Sequence, residues 1–402
     1  TCLFIMLGSN ILAGSSGQGG DSGYKIEKSL RFNPADTPDL TRVPDTPGNS
    51  QKFTISFWHK KCSNGAIRML LQTGSDYDNL FRVQISSADK LTVHHYNGSS
   101  YTFDYTSTRV FKDIGSWYHF VLAFDTTQAT ASDRFKAYVN GVQITEWDSA
   151  NAPAQNIKIA WNGPNIQRIG RENSVSYGSY YSVDGYLAEF INIDGQQLAA
   201  TDFGEFDENT VWQPKAYTGT YGTADTLGST SPSVFVSESA SYGSLSDVNS
   251  GTSGNPYAVN NANGGFIKLK FHTAQTGVTN IKFSGGGYGS GAAFEVFVNG
   301  NSIGSHTVNS GWSEDSINIS STDITEISFV TEYSGYALGQ LKFNDVLVPG
   351  TPSLGTLGAG SNSYYLKFAD NSSVSALGTD SSGSGNNWTP NNFSVTAGAS
   401  ND

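Results

Sequence analysis

Several stretches of this sequence carry residue types that could do chemistry. Gly300-Asn-Ser302-Ile-Gly304, with His306 close behind, fits the Gly-x-Ser-x-Gly nucleophile elbow, in which a strand-to-helix turn lifts a serine above a parallel sheet. Here a strand-like run, Phe294–Val298, leads in and Ser305-His-Thr-Val308 leads out. The serine therefore falls in a hairpin, with no helix to build an oxyanion site. Glu205 and Asp207, two residues apart, share one face of an extended segment and so could flank a glycosidic oxygen. Glu208 points the other way, however, and Asn209 stands where a third carboxylate would be. No catalytic residue is assigned. The histidines, at 59, 94, 95, 119, 272 and 306, form no His-x-x-x-His, and no Cys-x-x-Cys accompanies them, so no zinc set is assigned. His119 reads as a hydrogen-bonded core residue. Gly285-Gly-Gly-Tyr-Gly-Ser-Gly291 joins two strands and lacks a lysine, so it is not a phosphate loop. What remains points to binding. Trp161, Tyr177, Tyr180, Tyr181 and Asp184 place four aromatics and a carboxylate in an exposed-looking stretch. Sugar rings stack on aromatic faces, and a carboxylate or a bound Ca²⁺ fixes hydroxyls. The same Tyr/Ser/Gly loop equally suits protein contacts, or simple cover for a sheet.

The elements that must position such residues follow from composition. The 402 residues are enough for two or three domains. Only 14% are charged, well below the roughly 25% of ordinary domains, and 45 are glycine. Poverty in charged helix formers argues against helical bundles and doubly wound α/β folds, and for an all-β chain with tight turns. Lys and Arg number 23 against 35 Asp and Glu, a net charge of −12. The longest basic run is His59-Lys60-Lys61, so nucleic acid is not an expected partner. Cys2 and Cys62 are too few for a disulfide framework and read as free thiols. No apolar run approaches the roughly 20 residues of a spanning helix. Leu3-Phe4-Ile5-Met6-Leu7 lacks a basic flank and is too short for a signal-peptide core. The start at Thr1 without a methionine leads us to expect further residues at one or both ends.

Period-two alternation begins at Tyr24. Phe53, Ile55 and Phe57 share a face, as do Phe81, Val83 and Ile85. Asn97-Gly98 and Asn140-Gly141 mark hairpins. Trp117–Phe124 is apolar at nearly every position, as a strand buried on both faces must be. Tyr186–Ile193 closes the set, followed by a short helical stretch near Gln197 to Phe203. A second group of alternating runs follows, from Gly265–Phe271 to Leu341–Leu347, flanked by Ser/Gly/Asn-rich segments.

Ser116-Trp-Tyr-His-Phe-Val-Leu-Ala-Phe124, Lys136-Ala-Tyr-Val-Asn-Gly141 and Asp184-Gly-Tyr-Leu-Ala-Glu-Phe190 resemble, in order and spacing, the central strands of laminin-G-like, concanavalin-type jelly rolls. The flanking segments Ser29-Leu-Arg-Phe-Asn33, Ala200-Thr-Asp-Phe-Gly-Glu-Phe-Asp207 and Asp380-Ser-Ser-Gly-Ser-Gly-Asn-Asn-Trp388 resemble virion proteins of tailed, marine-type bacteriophages. In such proteins a segment like Gln213–Tyr217 leads quickly into one like Tyr364–Phe368; here about 140 residues separate them.

The expected fold is therefore all-β: an antiparallel jelly-roll sandwich with a second, smaller β-sandwich inserted or appended. The expected divisions are an apolar, Gly-rich arm (1–23), the jelly roll (24–217), the second sandwich (222–352) and a Ser/Gly/Asn-rich C-terminal segment with one strand (353–402), whose allegiance the sequence leaves open. What the resemblance implies is a non-enzymatic virion structural protein, a fibre, tail or head-decoration component, with a lectin-like module for surface or host-glycan contact. Leu3, Phe4, Ile5, Met6 and Leu7 would anchor it to other virion proteins. A homo-oligomer, a trimer by analogy, is expected. No motif specifies a cofactor, and Ca²⁺ at the loop rim is implied by the resemblance alone. The rival classes are a polysaccharide depolymerase or glycosidase acting through Glu205 and Asp207, and a secreted glycan-binding adhesin.

Overall fold

The segment Lys52–Lys61 shows how this sequence makes its fold. Phe53, Ile55 and Phe57 turn to one face and are fully buried. Thr54, Ser56 and Trp58 take the other face and are buried as well, so the strand must lie between two covered surfaces. A computed structural model of the chain describes residues 23–44, 48–73, 80–97, 99–163, 165–172, 181–222, 232–236, 257–259, 266–287, 292–308, 313–331, 336–348, 353–354, 360 and 362–396.

The first part of the chain forms β1 (Leu30–Phe32), β2 (Asp39–Arg42), β3 (Lys52–Lys61), β4 (Arg68–Thr73), β5 (Leu80–Ile85), β6 (Lys90–Tyr96) and β7 (Tyr101–Val110). It continues with β8 (Trp117–Asp125), β9 (Phe135–Val139), β10 (Val142–Gln143), β11 (Trp147–Asn151), β12 (Gln167–Ile169) and β13 (Gly185–Asp194). One sheet runs β1-β13-β3-β8-β9-β10 and the other begins β11-β7-β6-β5-β4-β12-β2. Phe53, Phe81, Phe103, Phe120 and Phe124 fill the space between them. Asn140 and Gly141 take the left-handed φ values of 46° and 78° that the tight β9–β10 turn requires. The helical stretch expected near 197–203 is a single 3₁₀ turn, Ala200–Asp202. It leads into a separate hairpin of β14 (Gly204–Phe206) and β15 (Trp212–Pro214).

The chain then builds a second sandwich from β16 (Ser233–Val236), β17 (Tyr257–Val259), β18 (Phe266–Gly287), β19 (Ala292–Val298), β20 (Asn301–Val308), β21 (Ser313–Thr331), β22 (Tyr336–Phe343), β23 (Val346–Leu347) and β24 (Ser353–Leu354). The 22-residue β18 and 19-residue β21 pair antiparallel along their length. Register shifts between Lys270 and Asn280 bend this ladder, so that Leu269 near one end and Phe283 near the other reach one core. The fold is thus all-β, a jelly-roll sandwich with a second β-sandwich.

The C-terminal segment goes back to the first sandwich. β25 (Tyr364–Leu366) pairs with β13 and β26 (Thr389–Asn391) with β2. Tyr364, Leu366, Phe368, Leu377, Trp388 and Phe393 all belong to the first core. A polar joint fixes this return: Asn192 Nδ2 donates to the Asn362 carbonyl (2.9 Å), Asp194 accepts the Asn362 amide (3.1 Å), and Asn386 Nδ2 donates to the Ser363 carbonyl (2.8 Å). At the base of the inserted sandwich, a Cβ built on Gly360 would lie 2.8 Å from Gly222 Cα. The chain therefore leaves and re-joins the first sandwich at one point.

Candidate functional site

Of the binding residues expected from the sequence, Trp161, Tyr181 and Asp184 are described. Trp161 is fully buried: its Nε1 donates to Asn192 Oδ1 (2.9 Å) and its ring packs on Phe81. This corrects the exposed reading, because the indole fills the core and satisfies its one donor there, leaving no face for a sugar. Asp184 is held between two guanidiniums, Arg31 at 3.0 Å and Arg68 at 3.8 Å. It ties β1 to β4. Tyr181 is half-buried. Tyr177 and Tyr180 lie outside the described residues, as does the arm Leu3, Phe4, Ile5, Met6 and Leu7.

The segments weighed for catalysis are bound up in local structure. Asp207 accepts from the Asn209 and Val211 amides (2.8 Å each) and from Gln213 Nε2 (3.2 Å), which makes it the organiser of the β14–β15 turn. Ser302 and Ser305 both donate to Glu295, while His306 is bonded to Asp315 (2.9 Å). His119 is a core residue. Trp212 Nε1 donates to its Nδ1 (3.0 Å), so its proton sits on Nε2, facing Ser56 Oγ at 2.8 Å.

A different constellation stands out on the second sheet, on the face turned away from the core. Strand register sets Asp104 opposite His94, His94 opposite Arg82, Arg82 opposite Gln72, Gln72 opposite Arg168, and Arg168 opposite Thr41. At roughly 4.8 Å per strand, the stretch from His94 to Arg168 spans about 14 Å. Immediately after β12 the chain turns over this row: Glu172 Oε1 accepts from Arg82 Nη2 (2.6 Å), and Arg171 Nη2 donates to Asp39 Oδ2 (3.3 Å). Arg168 bonds the same Asp39 oxygen.

Five buried polar atoms on this row have no hydrogen-bond partner: Asp39 Oδ1, Gln72 Oε1, Arg82 Nε, His94 Nε2 and Glu172 Oε2. Each such group costs about 1–3 kcal/mol when unsatisfied, so five along one row call for polar partners, whether ordered water or the hydroxyls of a ligand. Burial pushes the His94 imidazole down to about 4, with the Arg82 charge adding to the effect, and raises the Glu172 carboxyl against the opposing pull of Arg82. At the His94 end stands Tyr101, 56% exposed, its ring edge-on to His94 at 5.2 Å and to Tyr96 at 5.3 Å. An exposed aromatic face beside recessed donors and acceptors is the pairing that sugar recognition requires.

The family model for the concanavalin A-like lectin/glucanases superfamily matches residues 36–191, the span that holds every residue of this row. The first sandwich carries a laminin G-like, concanavalin A-like lectin superfamily domain. No curated protein matches the chain. Among solved structures, the native heptameric SAP-like pentraxin from Limulus polyphemus is 16% identical, over 44% of this chain and 80% of that one, with a TM-score of 0.31. Domains LG4-5 of the mouse laminin alpha1 chain are 10% identical, over 83% of this chain and 92% of that one, with a TM-score of 0.31. The Ruminococcus gnavus IT-sialidase CBM40 bound to alpha2,3 sialyllactose is 16% identical, over 40% of this chain and 86% of that one, with a TM-score of 0.26. The domain assignment rests on the family match and the sheet topology. Among the described residues, no group of three or more His, Cys, Asp or Glu side chains could hold a metal ion, and no helix is long and apolar enough to cross a membrane.

Proposed function

We propose that the protein is a binding component of a virus particle rather than an enzyme, and that its lectin-type domain meets glycan along the row beside Tyr101. The observation that carries the glycan contact is the set of five unpartnered, buried polar atoms next to an exposed tyrosine. A sugar would supply hydroxyls to those atoms and a ring face to Tyr101. The engagement of Asp207 in its own turn speaks against a glycosidase built on Glu205 and Asp207, because that chemistry needs two free carboxylates across a groove. The particle setting rests on the resemblance of the flanking segments to phage virion proteins. In this setting the arm Leu3–Leu7 attaches the protein to the particle, and several copies together raise the avidity of weak sites.

Two experiments test the two halves of this reading. A glycan array probed with the full chain is expected to retain it on a defined subset of sugars, and mass spectrometry of the bound sugars is expected to find them uncut; cleavage products would contradict the binding role. Mass spectrometry of density-purified particles from the source is expected to find the protein in fixed ratio to the major capsid protein. Its absence from complete particles would end the virion assignment.

A further inference from the structure

Resting on the glycan reading above, we infer that the row takes a neutral, hydroxyl-rich glycan and turns acidic glycans away. The guanidiniums on this face make it look built for anions, but their charge is already committed. Arg82 bonds Glu172 at 2.6 Å, and Arg168 and Arg171 share one oxygen of Asp39. Asp104, at the end of the row, adds a third carboxylate and is bonded by Ser149 Oγ at 2.8 Å. Burial keeps His94 neutral at neutral pH, so it contributes no positive charge. Three guanidiniums thus face three carboxylates.

The atoms left for a guest have their own polarity. Asp39 Oδ1, Glu172 Oε2 and Gln72 Oε1 are acceptors, and only Arg82 Nε is a fixed donor. A ligand carboxylate or sulfate, which only accepts, would face two carboxylate oxygens at low dielectric. To reach a guanidinium it would have to break a buried ion pair, stranding Asp39 or Glu172. A sugar hydroxyl both donates and accepts. It can give its proton to Glu172 Oε2 or Asp39 Oδ1 while a neighbouring hydroxyl accepts from Arg82 Nε, and neither ion pair is disturbed. The exposed Tyr101 ring supplies contact without charge.

The test uses the full chain on one array printed with neutral oligosaccharides and with the same backbones carrying uronic acid, sialic acid or sulfate. Binding to the neutral set is expected to exceed binding to its acidic counterparts by about tenfold or more, and to change little between low and physiological salt. Glu172→Gln, which weakens the hold on Arg82, is expected to reduce neutral binding about tenfold and to narrow the gap to the acidic set. Because Glu172 is buried, Tyr101→Ala serves as a second variant that leaves the core untouched, and it too should lower neutral binding about tenfold. Equal or tighter binding of the acidic set, or binding that falls steeply with salt, would overturn this inference and leave the glycan reading standing. Retention of no sugar from either set would overturn both.

Discussion

A chain that ends at residue 361 is expected to lose the first sandwich, whereas a chain lacking 223–359, closed by a short glycine linker, is expected to keep it. The truncation removes Tyr364, Leu366, Phe368, Leu377, Trp388 and Phe393 from one core. At about 1.5–3 kcal/mol for each large side chain, the loss is on the order of 10 kcal/mol. That matches the entire net stability of a typical domain, about 5–15 kcal/mol. It also strands Asn192 and Asp194, whose partners Asn362 and Ser363 are then gone. The excision costs none of these contacts, because Gly222 and Gly360 already touch. Circular dichroism with thermal melting reads both outcomes: the truncated chain loses the transition of the first sandwich and keeps only that of the second, whose core of Leu269, Phe283 and Phe329 is intact, and the excised one melts within a few degrees of the intact first sandwich. Persistence in the truncated chain of the transition that the excised chain shows would mean that the C-terminal segment is dispensable.

Acidification from pH 7 to pH 5 is expected to cost the first sandwich much of its stability through four buried histidines. Burial pushes His59, His94 and His95 down to about 4 and His119 to about 3, against about 6.5 in an unfolded chain. Their folded values are depressed, so below pH 6.5 the unfolded state binds more protons than the native state. Stability is then full above that pH and declines as pH falls toward 4. At 1.36 kcal/mol per pH unit, each histidine contributes about 2 kcal/mol of loss at pH 5, and the four together on the order of 8 kcal/mol, which the carboxyl of Asp194, pushed up by burial to about 6, offsets only in part. His119 has the clearest cause. Its Nδ1 accepts the Trp212 N–H and its ring stacks on Trp58 at 4.7 Å, so a second ring proton would face a donor. Urea midpoints of the full chain measured from pH 7 to pH 4 should fall steeply, and His119→Gln should flatten the acid limb. A midpoint unchanged between pH 7 and pH 5 would contradict this account.

Much of the fold was legible because alternation is a property of single strands. Phe53, Ile55 and Phe57 announced a core face, Trp117–Phe124 a strand covered on both sides, and Asn140-Gly141 the turn between β9 and β10. The allegiance of the C-terminal segment was not legible, because Tyr364–Leu366 pairs with residues more than 170 positions earlier, and nothing local encodes a partner so distant. The candidate site was missed for a related reason. Tyr101 has the parity of the core residues Phe103 and Tyr105, yet a register shift between His95 and Tyr96 turns it to the opposite face, beside His94. A second shift between Met69 and Leu71 sets where Gln72 meets Arg82. Bulges reverse the parity that sequence reading depends on. The usable signal was the alternate polar positions Arg82, His94 and Asp104 within otherwise apolar strands, not the indole of Trp161, which the core takes up.

The most direct test of the central claim is a crystal structure of the full chain with the sugar it retains most tightly. The account predicts sugar hydroxyls within hydrogen-bond distance of Arg82 Nε, Gln72 Oε1 and Glu172 Oε2, with a ring lying against Tyr101. A sugar bound elsewhere on the chain, with only water on those three atoms in both free and bound crystals, would contradict it.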